Sequence, residues 1–129
     1  MLPLAMSLAL ALLILGSGAN ASAKPARPEA VPVFDDATYR HVWSAMIGAR
    51  EAPSVDFATH SVVFLLAGSK PTGGWSVVPR SAHEDGETLV VDAAIKPPPP
   101  GAIVTQAFTS PYAVIAVKTK SFKDVRWKP

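Results

Sequence analysis

Two uninterrupted apolar runs constrain this chain more than anything else in it. SVVFLLA (residues 61–67) and YAVIAV (residues 112–117) are rich in β-formers and contain no charged residue. A strand that faces water on one side alternates polar and apolar residues. Runs without that alternation suit strands covered on both faces.

Other segments do alternate. Trp75, Val77 and Pro79 interleave with Ser76, Val78 and Arg80, and Leu89, Val91, Ala93 and Ile95 interleave with Thr88, Val90, Asp92 and Ala94. These read as strands with one face on a core. The turn signals KPTGG, HEDGE, PPPPG and TSP separate them. Asp85-Gly86 is a dipeptide favoured in tight hairpins, which need positive φ. Four consecutive prolines, Pro97 to Pro100, cannot donate ladder hydrogen bonds and form a stiff connection. Residues 103–108 read as a further short strand and residues 121–127 as a last edge strand.

One helix is expected. Asp35 and Asp36 can accept hydrogen bonds from the first unpaired amides, and Gly48 marks the end. Tyr39, Val42, Trp43, Met46 and Ile47 recur at helical spacing and form one apolar stripe, which must lie on a sheet. The fold class is therefore mainly β (α+β): a small antiparallel β-sandwich or barrel-like unit preceded by one amphipathic helix. At 129 residues it is one domain.

The mean hydropathy of +0.25 is high for a soluble chain, and the excess lies at the start. Residues 2–15 are almost all Leu, Ala, Ile or Met, and no charge appears before Lys24. Small residues follow, with A-x-A patterns ending at Ala21 and Ala23. This is the layout of a secretory signal, cleaved after Ala21 or Ala23. The alternative, a retained anchor, calls for a longer apolar run than this one. The resulting plan is a signal peptide at residues 1–23, a Pro-rich linker at 24–35 and the domain at 36–127. The expected location is secreted or periplasmic, with no membrane association after cleavage and a monomeric state.

There is no cysteine, so the chain has no disulfide, no thiol nucleophile and no lipid-attachment site. The net charge of +2 is mild and the basic residues are scattered, which argues against nucleic-acid binding. Catalytic signatures are missing as well. His41, His60 and His83 accompany no G-x-S-x-G elbow, and Ser69 beside Lys70 belongs to a turn. His83, Glu84 and Asp85 are consecutive, so they cannot converge on one ion. No enzyme, no metal and no cofactor are expected.

The segment GSKPTGGW (residues 68–75) is the unusual one. A proline-stiffened loop loses little entropy on binding, and Trp is enriched at binding hot spots. The alternation with Val77, however, points the Trp75 ring inward. Recognition therefore falls on the loop tip, Lys70, Pro71, Thr72, Gly73 and Gly74, with Trp75 as its support. Late in the chain Ser110, Pro111 and Tyr112 form a second candidate loop that would sit beside it.

In order, the markers are Trp43, then Pro53, Asp56 and Phe57, then SVVFLLA, GSKPTGGW, the Asp85-Gly86 hairpin, VTQA (residues 104–107) and TSPY (residues 109–112). Over residues 36–120 this pattern resembles the PrcB C-terminal domain family, named for a subunit of a secreted bacterial protease complex. Trp75 stands where that family usually has Tyr. The resemblance implies a non-catalytic accessory protein whose partner is an exported protease or other extracytoplasmic protein, with the two loops as contacts. A more distant likeness is to chagasin-type protease inhibitors, which present similar P-T-T-G-aromatic and R-P-aromatic loops, although Ser110 replaces the arginine. It implies an alternative function, inhibition through the PTGGW and SPY loops.

Overall fold

The computed structural model describes residues 9–48 and 50–129. Seven strands and one helix follow in chain order: β1 (Leu12–Gly18), β2 (Glu29–Val33), α1 (Asp36–Met46), β3 (Ser61–Leu66), β4 (Ser76–Asp85), β5 (Thr88–Lys96), β6 (Tyr112–Val117) and β7 (Asp124–Trp127). They build two sheets. One has the order β1-β6-β3-β2 and is antiparallel throughout; the other has the order β4-β5-β7.

The two apolar runs are the central strands β3 and β6, paired from Ser61–Val117 to Leu66–Tyr112. Every residue of both is buried. The reason is a three-layer arrangement. Val63, Leu65, Ala113, Ile115 and Val117 face the second sheet, where they meet Val77, Ala82, Leu89, Val91 and Ala93. Val62, Phe64, Leu66, Val114 and Ala116 face the other way and meet Tyr39 and Trp43 of α1. The strands lack alternation because neither face meets water.

Helix α1 forms as its sequence dictates. Asp35 caps it, accepting from the Thr38 amide at 2.8 Å, and that bond holds the carboxyl below the usual carboxylate range. Tyr39 and Trp43 are fully buried, and Val42, Met46 and Ile47 flank them. The Trp43 ring N–H donates to the Arg50 carbonyl at 2.8 Å, pinning the chain that leaves the helix.

Strands β4 and β5 form the expected hairpin, closed by Asp85 opposite Thr88. The two turn residues are Gly86 and Glu87, one position later than the Asp-Gly pair suggests, and only Gly86 has positive φ (63°). That suits a turn with glycine at its first central position. Pro79 lies in β4 beside a register shift, on an outer strand where a missing N–H is tolerated. β7 runs parallel to β5, and the Trp127 ring N–H donates to the Ala93 carbonyl at 2.9 Å.

Three expectations need correction. Glu29–Val33, read as linker, is an outer strand, and Pro32 is accommodated there as Pro79 is in β4. Residues 103–108 form no strand; Ile103 and Phe108 project into solvent. The helix is preceded by two strands, because β1 comes from the apolar stretch read as a leader. The start of that stretch, residues 1–8, lies outside the described residues.

Candidate interaction site

The connection from β3 to β4 and the one from β5 to β6 lie side by side at one end of the sandwich. Lys70 and Thr109 exchange both backbone hydrogen bonds, at 2.8 and 2.9 Å. The Thr109 hydroxyl donates to the Thr72 carbonyl at 2.8 Å, and the Gly73 amide donates to the Thr105 carbonyl at 3.0 Å. Ala67 donates to the Pro111 carbonyl at 3.0 Å where the two connections enter the sheet. Five cross-links thus turn two loops into one platform. The turn needs glycine at Gly74, where φ is +85° and an added Cβ would come 2.7 Å from Pro98 Cβ.

On this platform Pro71 and Gly74 are exposed, Lys70, Thr72 and Trp75 are half-buried, and Gly73 is buried. Trp75 belongs to neither core cluster. Its ring lies 5.0 Å from the Lys70 ammonium, within the range in which a cation is attracted to an aromatic face. The alternation that points Trp75 inward breaks down because β4 begins at Ser76: the period-two rule starts one residue after the tryptophan.

Ser110, Pro111 and Tyr112 do sit next to the first loop, but inside. Ser110 is 1% and Tyr112 6% exposed. The Ser110 amide donates to the Ala19 carbonyl at 2.7 Å, and its hydroxyl donates to the Ala21 carbonyl at 3.0 Å. In this fold they hold the second connection in place. The surface apolar residue of that connection is instead Phe108, 74% exposed and directly before the bridging Thr109. Sequence reasoning assigned it to a strand. Its signal was the turn chemistry around it, GAIVTQAFTSP, which is poor in strand alternation.

The remaining candidates are scattered. Glu84 accepts hydrogen bonds from Thr119 and Ser121 at 2.9 and 2.5 Å, and His60 pairs with the Thr59 hydroxyl at 2.7 Å. Among the described residues no three His, Asp or Glu side chains gather as metal ligands. Two clefts of about 130 and 240 Å³ lie away from the platform, below the roughly 300 Å³ at which small-molecule sites begin. No helix among the described residues is long and apolar enough to cross a membrane.

A three-layer unit with a cross-linked loop pair at one end is the class that fold and site define. Residues 61–118 match the family model described as PrcB C-terminal, from the start of β3 to just past the end of β6. The matched segment contains both loops and leaves out β1, β2, α1 and β7. No curated protein and no solved structure matches the chain.

Proposed function

We propose that this chain is an exported, non-catalytic protein-interaction domain that acts as an accessory module to a protease or another extracytoplasmic protein. The observation that carries the reading is the platform itself. Backbone hydrogen bonds at Lys70 and Gly73, with the Thr109 hydroxyl on the Thr72 carbonyl, hold the first loop in place, and Trp75 and Phe108 are partly or largely exposed at its margin. A rigid loop pair carrying aromatic residues loses little conformational freedom on docking, and aromatic side chains dominate binding energy at protein interfaces. The family match agrees with a PrcB-like domain.

The test is fractionation followed by capture. The tagged chain is expected in the extracytoplasmic fraction, where crosslinking recovers a defined exported partner. A chain that stays in the cytoplasm, or that crosslinks to nothing outside it, contradicts the proposal.

A further inference from the structure

Strand β1 is made from the stretch whose composition reads as an export leader. It pairs with β6 from Leu12–Val117 to Gly18–Tyr112, with a register shift between Ile14 and Gly16. Leu10 and Leu12 pack into the core between the sheets, and Leu15 packs against the helix-side core. Beyond the strand, Ala19 and Ala21 hydrogen-bond Ser110 in an isolated parallel bridge.

The fit is selective at two positions. A Cβ on Gly16 would come 3.0 Å from Trp43 Cη2, and one on Gly18 would come 2.7 Å from the Tyr112 hydroxyl oxygen. Two aromatic side chains therefore crowd the slot at these positions and favour a strand with glycine there. Cleavage after Ala21 or Ala23 would remove this strand whole. It would leave β6, buried along its length, as a bare sheet edge with unpaired amides and carbonyls.

We propose that the edge of β6 is a strand-accepting site. Resting on the export reading above, it takes an extended segment of a protein partner in place of β1 once the leader is gone. The accepted strand runs antiparallel to β6, with large apolar residues at the positions of Leu12 and Leu15 and glycine at those of Gly16 and Gly18. Edge pairing of this kind draws affinity from main-chain hydrogen bonds and specificity from pockets for alternate side chains. Ser110, Pro111 and Tyr112 then belong to the recognition surface through the slot, since the leader pairs with both Ser110 and Tyr112.

The experiment uses the protein recovered from the extracytoplasmic fraction, its N-terminus read by mass spectrometry. Binding is measured by fluorescence anisotropy with a labelled, lysine-tagged peptide of sequence LALLILGSGANAS, residues 10–22. The processed protein is expected to bind it, and the full-length chain, its slot filled, to bind at least about tenfold more weakly. A peptide carrying Gly18→Val should also bind about tenfold more weakly, the usual scale for forcing methyl groups into a packed site. No binding, equal binding of both peptides, or equal binding by the full-length chain overturns the proposal. So does an exported protein that keeps residues 12–18, or one that dimerises through β6 and ignores the peptide. Failure of the export reading shows separately, as unprocessed chain in the cytoplasmic fraction.

Discussion

The Tyr39 hydroxyl donates to the Pro53 carbonyl at 2.7 Å, tying α1 to the chain that leads into β3. Tyr39 is fully buried among Trp43, Phe57 and Phe64, and burial pushes its phenol up to about 12. A proton held more tightly in the folded state than in the unfolded one stabilises the fold below the unfolded value. That contribution is lost as pH rises through the folded one. Urea midpoints should therefore fall between about pH 10 and 12 in the wild type, and fall less in Tyr39→Phe. At neutral pH Tyr39→Phe should cost about 1–2 kcal/mol, because the Pro53 carbonyl loses its partner. An identical alkaline profile in both proteins contradicts this account.

Trp127 fastens the last strand. Its ring is 8% exposed and its N–H reaches the Ala93 carbonyl. Trp127→Phe keeps most of the buried ring and loses the hydrogen bond, for a cost of about 1–2 kcal/mol by chemical denaturation. Trp127→Ala also opens a cavity and should cost about 3–5 kcal/mol. Equal losses in the two variants would mean the buried ring contributes nothing beyond its hydrogen bond, and no loss in Trp127→Phe would mean the hydrogen bond contributes nothing.

Gly74 governs the platform's shape. Gly74→Ala puts a Cβ at positive φ and against Pro98, so a loss of about 1–3 kcal/mol is expected. Amide exchange should show protection falling at Lys70 and Thr109, whose mutual bonds join the loops. Unchanged protection at both residues would separate the turn from the bridge.

Much of this fold is legible in the sequence. SVVFLLA and YAVIAV announce doubly covered strands because burial on both faces removes the polar alternation. The Tyr39–Ile47 stripe names the helix face that supplies one of the covers, and the hairpin follows from glycine chemistry. Less legible are the elements whose partners are distant in the chain. β2 hides among prolines that an outer strand tolerates, and β7 pairs parallel with β5 across a long connection. β1 is concealed because a Leu- and Ala-rich run has the composition of a leader whatever structure it takes.

At the candidate site, sequence found both loops and the structure joins them. What sequence lacked was depth. Ser110, Pro111 and Tyr112 are inside because Ala19 and Ala21 pair across Ser110, a contact some 89 residues apart along the chain. Trp75 is not a core residue because the strand register that would bury it begins after it.

Trp75 is consequently the position at which stability and recognition should separate. In neither core cluster, it can be truncated with a loss of at most about 1 kcal/mol, as for other side chains outside the core. The most direct measurement captures partners from the extracytoplasmic fraction with wild type and Trp75→Ala in parallel, each checked for its melting temperature. The account predicts that the variant melts close to wild type and recovers at least about tenfold less partner, the scale of a binding hot spot. A variant that captures as much partner as wild type, or one that unfolds, contradicts it.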